Sequence, residues 1–259
     1  MTIEPKKIFI VPYRDRQRDK DIFIQAMKQL LADDPEPYEI YFAHQCDTRP
    51  FNRGATKNIG FLAIKAKYPE IYKTLTFIFH DVDTFPVKKG MLDYTTTAGV
   101  VKHYYGYRFA LGGMFAIKGA DFEKTLGFPN FWGWGMEDNA MQDRCLEVGL
   151  KIDRSVFYDI VDGKIARTFD GYTRIITKMD SYAYKNKLID DFTALKNLRW
   201  NIVRNDPNDN NFFMIQISSF ECASNPNDQD YKSIDLRKVK KLPVAKLRIT
   251  RRDWKMFTR

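Results

Sequence analysis

Short apolar runs alternate with amphipathic stretches through the first eighty residues. Lys7 to Val11 (KIFIV) is apolar almost without a break, the pattern of a strand buried on both faces. Asp19 to Ala32 puts Phe23, Met27, Leu30 and Leu31 on one helical face. Tyr38 to Ala43 (YEIYFA) reads as a second strand after the turn at Pro35-Glu36-Pro37, and Ala55 to Ala66 repeats the helical spacing with Ile59, Leu62, Ala63 and Ala66. Leu75 to Phe79 (LTFIF) is a third apolar run. Alternating strands and helices with continuous apolar strands predict an α/β fold whose central sheet is mostly parallel and covered on both faces. Further on, a helix is expected over Glu137 to Leu150 and a late strand over Phe212 to Ile217, with loops at Asn205 to Asn211 and Ser224 to Asp230.

In such sheets ligands lie beyond the carboxyl ends of the strands. The polar segments there are Pro12-Tyr13-Arg14-Asp15-Arg16, Gln45 to Arg53, and His80-Asp81-Val82-Asp83, so arginines and paired carboxylates converge on one rim. With 259 residues, 44% of them hydrophobic, the chain can bury one large domain. The start of the chain holds no apolar run of signal-peptide or membrane-spanning length, and Cys46, Cys145 and Cys222 form neither a CxxC pair nor an even set; a reducing, cytoplasmic setting is the expectation. The net charge of +9 is matched by the end of the chain alone, where residues 237–259 carry ten Lys/Arg against Asp253. Residues 221–259 are therefore read as a basic extension of a domain covering 1–220, either solvated or touching an anionic membrane surface. No RNP, zinc-finger or helix-turn-helix signature supports nucleic acid as a partner.

Two segments carry candidate chemistry. Asp81-Val82-Asp83 ends a buried strand, and two carboxylates so close repel unless a cation or strong donors sit beside them. A divalent metal bridging to a diphosphate is one solution; a capped turn is the other. Phe131-Trp132-Gly133-Trp134-Gly135-Met136-Glu137-Asp138-Asn139 sets two tryptophans between glycines, flat platforms suited to a sugar ring, directly before acidic residues at a helix start. The structural alternative is that Glu137 and Asp138 cap that helix and the tryptophans are core.

In order and spacing, Val11-Pro-Tyr-Arg14-Asp-Arg16, Phe51-Asn-Arg53-Gly-Ala, Asp81-Val-Asp83, Gly112-Gly113, Gly127-Phe-Pro-Asn130 and Trp132-Gly-Trp134-Gly-x-Glu137-Asp138 resemble the β-1,4-galactosyltransferase family, strongly over about residues 7–155. The resemblance implies a GT-A-type fold and an inverting transferase. Its donor would be a UDP-sugar carrying galactose, GalNAc or GlcNAc, its acceptor a glycan or glycoconjugate, and its cofactor Mn2+ or Mg2+. It also implies roles. Pro12, Arg14, Arg16, Phe51 and Arg53 would hold UDP, with Val82, Gly113 and Asn139 completing the binding site. Asp83 would ligate metal, Asp81 would support metal or ribose, and Trp134 would span donor and acceptor. Glu137 would bind donor hydroxyls and Asp138 would be the catalytic base. A module that binds UDP-sugar or glycan without turnover is the alternative.

Three positions depart from the family pattern. Asn139 stands where an acidic residue is usual, and Ala110 stands where galactose-specific members have a bulky tyrosine, which leaves room for an N-acetylated donor. No histidine follows residue 103, so the family's downstream metal ligands are missing. Lys164 and Arg167 fall near those positions, either replacing the metal's charge or leaving His80, Asp159, Asp162 or Asp170 to serve. His103 is expected to be structural, Cys145 core, and His44 is placed near the rim.

Overall fold

A computed structural model describes residues 4–169 and 171–238. The chain runs β1 (Lys7–Tyr13), α1 (Gln17–Leu30), β2 (Tyr38–Gln45), α2 (Arg53–Lys67), β3 (Thr76–His80), β4 (Thr84–Pro86), β5 (Val100–Gly106), β6 (Met114–Lys118), α3 (Gly119–Lys124), α4 (Glu137–Glu147), β7 (Lys151–Asp153), β8 (Tyr158–Asp159), β9 (Ile165–Arg167), β10 (Thr173–Thr177), α5 (Lys178–Lys185), β11 (Lys196–Arg204), β12 (Phe212–Glu221) and β13 (Tyr231–Asp235).

The main sheet is ordered β11-β12-β2-β1-β3-β6-β5-β7, with β8 added beside β5. β12, β2, β1 and β3 are mutually parallel, whereas β6 runs against both β3 and β5. β1 is buried along its whole length because alternate side chains enter two cores. Ile8 and Ile10 face α2 with Ala55, Ile59 and Ile64, and Phe9 and Val11 face α1 with Phe23, Ala26 and Met27. The mostly parallel α/β sandwich expected from the apolar runs is therefore present.

Because β2 and β3 flank β1 on opposite sides, the segments after β1 and β3 separate and leave a crevice at their carboxyl ends. Two small ribbons close it. β4 pairs with β9, setting Thr84 opposite Arg167, and β10 pairs with β13. Around the boundary expected after residue 220 the described residues are in contact with the rest of the fold. β12 runs on to Glu221, Tyr231 packs on the main core, and Leu236 donates its N–H to Tyr172 O (2.9 Å). The basic run beyond residue 238 lies outside the described residues.

Candidate active site

A cleft of about 410 Å3 opens at this crevice. Its wall includes Pro12, Arg14 and Arg16 from the end of β1, Phe51 and Arg53 from the start of α2, and Asp81, Val82 and Asp83 from the end of β3. Ala110, Gly113, Trp134 and Asp138 also line it. Of the residues singled out by sequence as catalytic or binding, all but Glu137 and Asn139 lie on this wall.

The acidic pair is held by guanidinium groups. Arg53 donates to Asp81 at 2.7 Å and stands 3.4 Å from Glu137 through its other nitrogen, while Arg16 lies 3.3 Å from Asp83 and 3.1 Å from Asp19. Burial pushes the Asp81 carboxyl up, but Arg53 and Lys57 outweigh it and hold the group below its ordinary range. Burial would also drive the Arg53 proton off; Asp81, Glu137 and Asp138 reverse that and keep the guanidinium charged. The Asp83 carbonyl accepts from Thr168 N (2.8 Å), and Asp81 N donates to Gly113 O (3.0 Å), which ties the acidic loop to both neighbouring segments.

α4 begins after Gly135 and Met136, both at positive φ, and no side chain caps it. Glu137 and Asp138 are thus not its caps. Glu137 sits just behind the wall, 2% exposed, with Oε1 toward Arg53 and Oε2 buried without a partner. Burial and then the neighbouring Asp138 raise its carboxyl above the ordinary range, against the pull of Arg53 and Lys57. Asp138 meets Lys57 Nζ at 2.8 Å, and its other oxygen packs over Gly112, where an added Cβ would lie 2.4 Å from Oδ2. Asn139 turns aside and donates to Phe109 O at 3.1 Å.

Only one of the two tryptophans lines the cleft. Trp132 is buried, stacked on Phe220 (5.6 Å between centroids, 14° between planes) with its indole N–H given to Ser224 O, so the expectation of a paired platform is corrected. Trp134 lines the cleft, its backbone N–H donating to Ile175 O at 2.7 Å, with the Arg174 guanidinium 5.7 Å from the centre of its ring.

The substitute metal ligands divide similarly. His80 turns into the core against Phe9 and Phe23, and burial lowers its imidazole to about 4. Asp159 and Asp162 are not on the wall, Lys164 lies near the Tyr158 ring, and Asp170 lies outside the described residues; Arg167 alone of that group lines the cleft. Among the described residues no cluster of three or more His, Cys, Asp or Glu gathers to enclose a metal. Asp81 and Asp83 nonetheless offer hard carboxylate oxygens on the wall, a donor set that suits a divalent cation completed by phosphate oxygens and water. His103 is structural, bonded to Tyr105 O and Gly112 O, and Cys145 is core. His44 lies against Tyr13 off the wall.

Lys57, Tyr105, Tyr107, Thr168 and Arg174 were not singled out from sequence. Lys57 carried a signal: it lies four residues after Arg53, so a helix places both cations on one face. The others lie in β5 and β10 or just after β5 and β9, short segments without a regular pattern.

A family model described as the N-terminal region of glycosyl transferase group 7 matches residues 3–95, and one described as the N-terminal domain of galactosyltransferase matches 94–166. β-1,4-Galactosyltransferase 6 of Homo sapiens is 30% identical over 158 residues, covering 58% of this chain and 40% of the relative. β-1,4-Galactosyltransferase 7 of Drosophila melanogaster is 30% identical over 158 residues, covering 58% and 47%. The chain therefore spans less than half the length of these relatives. A solved structure of a mutant Drosophila β-1,4-galactosyltransferase 7 with manganese, UDP-Gal and xylobiose superposes with a TM-score of 0.70 at 19% identity, over 86% of this chain and 97% of that one. The same enzyme's catalytic domain with xylobiose gives 0.69.

Proposed function

The chain belongs to glycosyl transferase group 7, the family of the β-1,4-galactosyltransferases, and we propose that its cleft transfers a hexose or N-acetylhexosamine from a UDP-sugar to a glycan hydroxyl with inversion. The observation that carries this reading is Arg53: one guanidinium touches Asp81 on the acidic loop and Glu137 beside Asp138, so the two acidic segments share one small site.

In this reading Phe51 stacks on uracil, and Arg14, Arg16 and Arg53 face ribose and diphosphate, where planar guanidinium donors match phosphate oxygens. Asp83 with Asp81 would hold Mn2+ or Mg2+, which when bound neutralises charge on the departing diphosphate. The fit rests on the two carboxylates and the donor's own oxygens, and the manganese and UDP-Gal of the Drosophila neighbour accord with it. The unpartnered Oε2 of Glu137 is suited to a donor hydroxyl. Trp134 offers its face to the sugars. Asp138 takes the proton of the acceptor hydroxyl as that oxygen bonds to the anomeric carbon and the bond to UDP breaks, a single displacement that turns an α-linked donor into a β-linked product.

Ala110 lies on the wall and leaves space beside the donor, so UDP-GalNAc or UDP-GlcNAc is expected to compete with UDP-Gal. A donor screen against xylose- and N-acetylglucosamine-terminated acceptors, followed by UDP release, tests the reading. Turnover releasing UDP supports it; release of UMP, or binding of UDP-sugar with no turnover on any acceptor, rejects it.

A further inference from the structure

We infer that Lys57 is a positioning residue for this transfer, pinning one oxygen of Asp138 so that the other is presented to the acceptor hydroxyl. Lys57 sits one helical turn beyond Arg53 on α2, and its side chain is 3% exposed. Its ammonium lies 4.4 Å from the centre of the Phe128 ring and 2.8 Å from Asp138 Oδ1. A buried ammonium persists only when paired, so the contact fixes both partners. On its far side the Asp138 carboxylate rests over the bare Cα of Gly112, with Oδ2 nearest that residue. Asp138 is thus clamped between a cation and a glycine, while its side chain stays 22% exposed on the cleft wall.

The arrangement also balances charge. Asp81, Glu137 and Asp138 all act electrostatically on Arg53, and one guanidinium cannot neutralise three carboxylates. Lys57 is a second cation in the group, acting on Asp81 and Glu137 as well. During transfer the acceptor oxygen bonds to the anomeric carbon as its proton passes to Oδ2, the electron pair of the sugar–phosphate bond leaves with UDP, and Lys57 takes no part in the proton transfer. It touches neither sugar, and acts through Asp138.

This inference rests on Asp138 being the base, so Lys57→Met, Asp138→Asn and the double variant are compared. Lys57→Met is expected to keep the parent circular dichroism spectrum and bind UDP within about twofold by calorimetry, while kcat falls about 30-fold or more. The double variant is expected to show the residual rate of Asp138→Asn alone, because Lys57 has nothing left to orient. A Lys57→Met kcat within about threefold of the parent, or losses that multiply in the double variant, overturns the role of Lys57 while leaving Asp138 as base. A fully active Asp138→Asn overturns both. Should Lys57→Met not fold, Lys57→Gln, which keeps a donor without the charge, carries the same comparison.

Discussion

Arg53 is the residue on which the electrostatics of the cleft turn. It is charged because Asp81, Glu137, Asp138 and Asp83 offset its burial, and those carboxylates coexist because it is charged. Arg53→Gln leaves the half-buried Asp81 and the buried Glu137 without their shared counter-ion. Donor kcat/KM is expected to fall by two orders of magnitude or more, roughly what about 3 kcal/mol implies, in initial-rate measurements with UDP-sugar varied. Gly112 is constrained by its neighbour instead. A methyl group there would enter the Asp138 carboxylate, so Gly112→Ala is expected to lower kcat about 100-fold in initial-rate measurements.

At the scale of elements, the strands and helices that build the rim were readable because burial on both faces leaves a continuous apolar run and a one-faced helix leaves a 3.6-residue period. β1, α1, β2, α2 and β3 all fall where that logic puts them, with ends shifted by a few residues. Arg14, Arg16, Asp81 and Asp83 on the cleft wall were readable because they are charged groups that follow strand ends. Trp132 was not, since its burial depends on Phe220, eighty-eight positions later, and no local pattern encodes that stack. β4, β9 and β10 were missed for a related reason: strands of three to five residues held by partners far away in sequence leave no period to read.

β5 carries a pH-dependent brace. His103 is fully buried, and burial first, then Arg154, lowers its imidazole to about 4 from an ordinary 6.5. Between those values the unfolded chain binds a proton that the folded chain refuses, so stability rises with pH across that interval and is lost as pH falls from about 6.5 toward about 4. Thermal unfolding across this range is expected to show that slope, and a shallower one in His103→Gln. Equal slopes would remove His103 from the account.

At the scale of the molecule, two ribbons and a doubly covered sheet bring stretches from the start of the chain to Leu236 to one cleft, and the family relationship extends over residues 3–166. No helix among the described residues is long and apolar enough to cross a membrane. The cleft offers two carboxylates and several guanidinium groups where a metal site would lie. Mn2+ is accordingly expected to bind poorly without UDP and well with it in calorimetric titrations, and exhaustive chelation is expected to lower turnover. Undiminished turnover after chelation would assign the charge neutralisation to the arginines.

The central claim is a single displacement with Asp138 as the base, and the stereochemistry of the product tests it most directly. Proton NMR of the product formed from an α-linked UDP-sugar is expected to show the large anomeric coupling of a β-linkage from the first turnovers. An α-linked product would mean that the sugar is displaced twice or from its front face, and would contradict the placement of Asp138 as the base.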